Sequence, residues 1–102
     1  MTRRDLPPGC QAVQCCHALR QFVAEHASID REWFEGSNVL VLLAVENEPA
    51  LRELAHRARD KNLRWAGFWE PDLHGELTAI AIEPGAPARR LCRGLALAMN
   101  GE

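Results

Sequence analysis

The amino-acid sequence predicts a single small α/β domain that spans residues 1–102. Segments with the three- and four-residue periodicity of amphipathic helices alternate along the chain with short runs of strand-forming residues. The composition is that of an ordinary globular protein, with 47% hydrophobic and 25% charged residues, and this length supplies one hydrophobic core. Because a domain of this size leaves much of its surface unburied, we expect an oligomer interface to add to its stability.

The first helix is predicted just after the sequence Leu-Pro-Pro-Gly at 6–9, a typical loop in which proline fixes the backbone and glycine frees it. A second stripe of this helix carries Cys10, Gln14 and His17 at the spacing i, i+4, i+7, so these chemically active side chains share one edge near the helix N-terminus. The helix is expected over 10–26. Apolar residues at three- and four-residue spacing form its buried stripe: Ala12, Cys15, Ala18, Leu19, Phe22 and Val23.

The most strand-like segment is Val-Leu-Val-Leu-Leu-Ala-Val at 39–45. A continuous β-prone run of this kind predicts a core strand that is covered on both faces. A second helix is expected from Asn47 or Glu48 to about Lys61, since Pro49 is tolerated in a first helical turn. Four residues form the apolar side of this helix: Leu51, Leu54, Ala55 and Ala58.

The last third of the chain predicts two strands and a short helix. The strands are expected at 63–69 and 77–82, joined by the turn-rich sequence Glu-Pro-Asp-Leu-His-Gly at 70–75. The sequence Pro-Gly-Ala-Pro at 84–87 then separates the second strand from a helix over about 88–97.

The predicted order is therefore helix, strand, helix, strand, strand, helix, with the polar stretch around Trp33 and Phe34 read as a connection. A compact βαβ arrangement would place a strand ahead of the first helix, and residues 1–5 offer only a stub. We expect either that the true start of the chain lies upstream or that an unusual edge completes the sheet.

The charge gives no sign of a dedicated nucleic-acid binder, because the net charge is -2 and the pI is about 6.1. Two basic clusters, Arg3-Arg4 and Arg89-Arg90 with Arg93, could contact phosphates, although short charge runs are usually solvated surface. Charge alone therefore does not predict an RNA partner.

The cysteines predict a reducing compartment. Cys15 and Cys16 are adjacent within a helical pattern and follow no secretory signal, so we expect four reduced thiols in a cytoplasmic protein: Cys10, Cys15, Cys16 and Cys92. No apolar run is long enough to span a membrane, so no membrane partner is expected.

Two sequence motifs resemble a known family. Arg4-Asp5-Leu6 followed by Pro-Pro-Gly, and then Gln14-Cys15-Cys16-His17-Ala18, are similar to the motifs of the type II peptidyl-tRNA hydrolases and of the related bacterial and phage proteins. The resemblance continues through the strand-like run at 39–45, the helix after it, Phe-Trp-Glu-Pro-Asp-Leu at 68–73 and Leu-Thr-Ala-Ile-Ala at 77–81. It covers nearly the whole chain.

The resemblance implies a fold and an activity. The fold is a three-layer α/β/α arrangement with a small mixed four-stranded sheet flanked by helices, of which the first strand is truncated here. The activity is hydrolysis of the ester that joins a peptide to the 3′ ribose of tRNA, by a cytoplasmic protein that is often a homodimer. The resemblance implies tRNA as the partner, and no metal or organic cofactor is indicated.

The site residues are implied by matching positions. Gln14, His17 and Thr78 occupy family positions, and Glu70 or Asp72 could act as the base or orient the attacking water. Arg4, Asp5 and Cys10 complete the candidate site as substrate-binding residues.

Two departures from the family pattern affect the chemistry. The lysine that follows the helix-opening glycine in the enzymes is Cys10 here, and the aspartate-glycine-arginine-threonine style loop is replaced by Trp-Glu-Pro-Asp at 69–72. Ester hydrolysis needs a stabiliser for the developing oxyanion, and a thiol lacks the fixed positive charge of lysine, although a helix N-terminus can lower a thiol pKa. A non-catalytic binding or regulatory module on the same fold, or an enzyme acting on another small substrate, is therefore kept as an alternative.

Other interpretations of these residues are weaker. A Cys10–His17 catalytic pair would span two helical turns, about 10 Å of rise, and a zinc site would lack the short paired-ligand loops of structural zinc. His17 could be an ordinary interior histidine. Trp65 and Trp69 could stack on bases, but a role in the core or in a dimer interface is the simpler expectation.

Overall fold

The computed structural model describes residues 1–100, which form a mixed five-stranded sheet flanked by four α-helices. The strands are β1 (Thr2–Arg3), β2 (Leu43–Val45), β3 (Trp65–Glu70), β4 (Glu76–Ile82) and β5 (Ala96–Leu97). The helices are α1 (Pro8–Glu25), α2 (Ala27–Glu35), α3 (Glu48–Asp60) and α4 (Ala86–Leu91), and a 3₁₀ turn, Pro71–Leu73, joins β3 to β4. No helix within these 100 residues has both the length and the apolar character of a membrane span.

The strand order is β3-β4-β1-β2-β5. The short β1 is parallel to β2 and antiparallel to β4, while β4 is antiparallel to β3 and β5 is antiparallel to β2. The predicted α/β class with a mixed sheet flanked by helices is confirmed. The predicted count of four strands is wrong, because β5 adds a fifth at the edge beside β2.

A shift in register within β4 changes which of its side chains point to each face of the sheet. Phe68 is opposite Ala79 and Trp69 is opposite Leu77, so Thr78 has no partner across the ladder. A β-bulge of this kind re-aims the extra residue. Leu77 and Ile80 consequently both face α3, whereas the Thr78 side chain faces α1.

The main hydrophobic core lies between α3 and the sheet. The apolar side of α3 predicted from the sequence is confirmed, because all four of its residues are buried, and Val45, Leu77, Ile80 and Leu91 pack with them. Burial of each large aliphatic side chain contributes about 1.5–3 kcal/mol. The helix begins as its sequence indicates, since the Asn47 side chain accepts a hydrogen bond of 3.1 Å from the N–H of Ala50.

The prediction of a core strand over 39–45 is wrong for most of that run. Only Leu43–Val45 forms a strand, and Val39, Leu40 and Val41 are 64%, 54% and 54% exposed. A strand needs backbone partners, and the ladder with β1 reaches only Ala44 and Val45. The apolar run alone did not show where those partners end.

Two further predictions are corrected by the structure. The stretch around Trp33 and Phe34, read as a connection, is helix α2. The last helix is α4 (Ala86–Leu91) rather than 88–97, because Gly94 adopts a positive φ of 85° and the chain then returns as β5.

Candidate active site

A chain of hydrogen bonds centred on Gln14 joins three elements. Helix α1 packs against β3 and β4 and brings the Gln14 amide, which is 3% exposed, to the bulge of β4. The Thr78 hydroxyl donates to Gln14 Oε1 at 2.6 Å, and Gln14 Nε2 donates to Glu70 Oε1 at 2.9 Å. Both ends of the amide are therefore engaged, which fixes its orientation.

The bulge in β4 places Thr78 at the buried end of this chain of hydrogen bonds. Thr78 is fully buried, its hydroxyl also lies 3.3 Å from the Phe68 carbonyl oxygen, and its own carbonyl accepts a hydrogen bond of 2.8 Å from the Thr2 hydroxyl. A side chain in this position holds Gln14 and does not reach solvent.

Glu70 is the last residue of β3, and it lies at the solvent-accessible end of this chain of hydrogen bonds. Its Oε1 accepts from Gln14 and its Oε2 accepts a hydrogen bond of 3.3 Å from the backbone N–H of Asp72. The Gln14 hydrogen bond, then the Asp72 N–H, and to a lesser degree the nearby His17, hold the pKa of the Glu70 carboxyl below its usual range. Glu70 is therefore an ionised carboxylate, and each of its two oxygens accepts one hydrogen bond.

His17 lies one turn beyond Gln14 on α1 and is exposed. Its ring stacks on Phe68 of β3, with centroids 4.4 Å apart and planes inclined by 20°. The stack holds the imidazole beside the chain of hydrogen bonds that runs through Gln14 and Glu70.

Cys10 is half-buried on the other side of Gln14, with its Sγ 3.9 Å from Gln14 Nε2. The spacing of Cys10, Gln14 and His17 predicted a shared helix edge, and the contact between Gln14 and Cys10 agrees with it. Asp72 lies in the 3₁₀ turn with an exposed side chain, and the contact that it makes with Glu70 is through its backbone.

A buried arginine close to this site was missed by the sequence analysis. The Arg3 guanidinium, whose side chain is 8% exposed, forms two hydrogen bonds of 3.0 Å to the Asp5 carboxylate and one of 2.7 Å to Glu76. Hydrogen bonding by Asp5, followed by Glu76, raises the pKa of Arg3, and Arg3 in turn lowers the pKa of Asp5. Asp5, predicted to bind substrate, is therefore the partner of Arg3.

Arg4, also predicted to bind substrate, is exposed beside a shallow pocket of about 140 Å³. The same pocket contains Gln11, a second residue that the sequence analysis missed. Gln11 is 5% exposed, donates to the Leu6 carbonyl at 2.7 Å and accepts from the N–H of Met99 at 3.0 Å. Gln11 thus ties the loop before α1 to the end of the described chain.

The site brings together an ionised carboxylate, an imidazole, a thiol and a fixed amide on the rim where α1 meets β3 and β4. A carboxylate with an accessible oxygen can accept a proton from water, and an imidazole beside it can donate a hydrogen bond or a proton. This combination fits hydrolysis of a carboxylic ester.

A family model described as "Peptidyl-tRNA hydrolase PTH2" matches residues 2–91. This range includes Thr78, Gln14 and Glu70, the three residues that the hydrogen bonds of the site connect. A search of curated proteins found no match. The family match extends from β1 to the last residue of α4, and so covers most of the fold described above. By this match, the chain belongs to the PTH2 family of peptidyl-tRNA hydrolases.

Proposed function

We propose that the protein hydrolyses the ester bond between a peptide and the 3′ ribose of tRNA. The observation that supports this activity best is the chain Thr78–Gln14–Glu70, which fixes one carboxylate oxygen and leaves the carboxylate ionised. A positioned, ionised carboxylate is the group that a water nucleophile requires.

In the proposed mechanism Glu70 is the general base. Water attacks the ester carbonyl carbon and its proton passes to Glu70. The bond from that carbon to the 3′ oxygen then breaks, and the proton passes from Glu70 to the leaving 3′ oxygen, which restores the ionised carboxylate. His17, exposed and held by its stack on Phe68, donates a hydrogen bond to the developing oxyanion or to the leaving oxygen. Gln14 and Thr78 position Glu70, and Asp72 supplies the backbone N–H that holds its second oxygen.

Binding of the tRNA part is assigned to Arg4, whose exposed guanidinium can contact a phosphate. Asp5 contributes indirectly, by holding Arg3. Cys10 lines the substrate side of α1 in place of the family lysine. Release of peptide from an N-blocked dipeptidyl-tRNA by the purified protein tests this proposal, and well-folded protein that releases no peptide would contradict it.

The second candidate is a tRNA-binding module without catalysis. The observation that favours it is Cys10, because the thiol brings no fixed positive charge to the start of α1. Cys10→Lys separates the two functions: a gain of hydrolysis by an otherwise inactive protein identifies a site that lost its lysine. Cys16→Lys is the matched control, because Cys16 is exposed on the same helix.

The proposal also covers the domain extent, the family branch, the location and the oligomeric state of the protein. We take residues 1–102 as one domain in the bacterial or phage branch of the family, acting in the cytoplasm as a homodimer. Four free cysteines favour a reducing compartment, and the exposed Phe34 and Trp69 supply apolar area for a dimer interface. Light scattering on the eluting protein measures the oligomeric state, and a monomer mass at micromolar concentration would contradict the homodimer.

A further inference from the structure

The side chain at position 10 is a close neighbour of the Glu70 carboxylate. Gln14 Nε2 donates to Glu70 Oε1 at 2.9 Å and lies 3.9 Å from Cys10 Sγ, so one nitrogen contacts both residues. Gln14 is 3% exposed, and its oxygen accepts a hydrogen bond of 2.6 Å from Thr78. A charge at position 10 would therefore act on Glu70 and on any group of a substrate that lies beside Glu70.

The rim of the site carries negative charge. Glu70 is ionised, and Asp72, two residues along the chain, has an exposed carboxylate. Arg3 is buried, and its guanidinium is held by two other carboxylates, those of Asp5 and Glu76. In the described part of the chain, no lysine or arginine forms an ion pair with Glu70. This rim would therefore attract a cationic group of the substrate.

The ester in the proposed reaction has a nitrogen close to its carbonyl carbon. In an amino acid esterified to ribose, the α-nitrogen is two bonds from that carbon, about 2.5 Å away. Since Glu70 takes the proton of the attacking water in the proposed mechanism, the α-nitrogen lies near this carboxylate as well. The nitrogen is a neutral amide in a peptide, whereas a free amino group is largely an ammonium at mildly acidic pH. The two kinds of ester thus differ by one positive charge beside Glu70.

Position 10 determines how the site treats that charge. A lysine there, as in the enzymes that the chain resembles, would place a second ammonium beside the first, and repulsion between like charges selects against a ligand. The Cys10 thiol is half-buried beside Gln14 and brings no fixed positive charge. The site of this chain therefore presents carboxylates to an ammonium and no repelling cation from position 10.

We propose that Cys10 is a specificity-determining residue, which opens the site to aminoacyl-tRNA with a free amino group in addition to peptidyl-tRNA. This inference rests on the proposed hydrolysis and extends its substrate class. Water adds to the ester carbonyl carbon, the bond from that carbon to the 3′ oxygen breaks, and the products are the free amino acid and tRNA with a 3′ hydroxyl. The negative charge of Glu70 and Asp72 attracts the ammonium, and Cys10 does not repel it.

Cleavage of phenylalanyl-tRNA and of N-acetylphenylalanyl-tRNA at about pH 6.5, where the free amino group is largely protonated, tests the proposal. For each variant the two values of kcat/KM are measured after subtraction of the uncatalysed rate. Their ratio within one variant does not depend on how much of the protein is folded. In the unaltered protein the free ester should be cleaved within about tenfold of the acetylated one.

Three variants separate the charge at position 10 from its size and from charge elsewhere on α1. Cys10→Lys should lower the ratio of free to acetylated cleavage about tenfold or more, because its ammonium repels the free substrate alone. Cys10→Met, which is nearly as long as lysine and uncharged, should keep the ratio within about twofold. Cys16→Lys places the same charge at an exposed position of the same helix and should also keep it within about twofold.

The outcomes distinguish this inference from the proposed hydrolysis. Protein that cleaves the acetylated ester and leaves phenylalanyl-tRNA intact would overturn the inference, while the hydrolysis stands. The same ratio in Cys10→Lys and in the unaltered protein, or an equal fall in Cys10→Lys and Cys10→Met, would also overturn it, because the charge at position 10 would then have no effect. Cleavage of neither ester would contradict the proposed hydrolysis itself, and the inference would fail with it.

Discussion

The orientation of one buried amide controls the candidate active site. The Gln14 oxygen accepts a hydrogen bond from Thr78, and the Gln14 nitrogen donates one to Glu70. A substitution of the buried Thr78 therefore changes the position of the Glu70 carboxylate. The resemblance of residues 14–18 and 78 to family motifs pointed to these side chains, but only the fold shows that Thr78 is fully buried and holds Gln14.

Thr78→Val should weaken both stability and hydrolysis. The substitution leaves the buried Gln14 oxygen without its donor, which costs about 1–3 kcal/mol in the free energy of unfolding. The freed amide can then rotate away from Glu70, so peptide release should fall at least tenfold, roughly 1.4 kcal/mol in activation free energy.

Thr2→Val is the matched control, because Thr2 is equally buried and donates to the Thr78 carbonyl, not to Gln14. It should lower stability in urea denaturation while leaving the rate of peptide release nearly unchanged. Equal losses of activity in the two variants would contradict the role given to Gln14.

Arg3 shows what could not be predicted at the residue scale. Arg3 and Arg4 are adjacent and chemically identical, yet Arg3 is buried against Asp5 and Glu76 while Arg4 is exposed. Neighbouring residues of a strand point to opposite faces, and only the position of β1 in the sheet determines which of the two points inward.

At the scale of the elements, local sequence signals predicted α1, α3 and β4 well. They failed where pairing with distant strands determines the extent of an element. Helix α3 carries its own signals, namely an N-cap asparagine, a proline in the first turn and an apolar stripe. The apolar run 39–45 carries a strand signal throughout, but backbone partners exist only near its end. Helix α2 has an exposed and largely polar sequence, which is why it was missed.

The N-cap of α3 gives a prediction at this scale. Asn47→Ala removes the acceptor for the Ala50 N–H and should lower the free energy of unfolding by about 1 kcal/mol, while Asn47→Ser, which keeps an acceptor, should change it by only a few tenths. Urea denaturation of both variants measures the difference. If alanine and serine have the same effect, the cap does not stabilise the helix.

At the scale of the whole molecule, a two-residue strand occupies the centre of the sheet. β1 joins β4 to β2, and the Arg3 ion pairs tie its end to Asp5 and to Glu76 at the start of β4. The sequence predicted only a stub here and could not reveal its central position, because a strand this short carries no pairing signal of its own. The predicted mixed sheet flanked by helices was nevertheless correct.

Acid should destabilise the molecule through its paired carboxylates. Asp5 and Glu48 have lowered pKa values in the folded protein, chiefly because of the hydrogen bonds from Arg3 and from the Leu77 N–H. The stability that they contribute is present above their ordinary pKa values, about 4, and is lost as the pH falls through the lowered folded values. The free energy of unfolding should therefore decrease below about pH 4.5.

Asp5→Asn should reduce this pH dependence, because the neutral side chain cannot titrate. Asp60→Asn is the control, since Asp60 is 74% exposed and its contact with Arg59 is 3.9 Å, which contributes little. Denaturation curves at several pH values between 3 and 7 compare the two. A slope that is the same in Asp5→Asn and in the unaltered protein would show that the Arg3 pair does not contribute to it.

The most direct test of the central claim is the rate of peptide release from peptidyl-tRNA as a function of pH, for the unaltered protein, Glu70→Gln and Glu53→Gln. Glu53 is an exposed glutamate of α3, away from the site, and serves as the matched control. If Glu70 is the base, its lowered pKa places the acidic limb of the rate below the range of an ordinary glutamate. Glu70→Gln should then reduce the rate roughly 100-fold, while Glu53→Gln leaves it unchanged. Release that persists in Glu70→Gln with the same pH dependence would contradict this account.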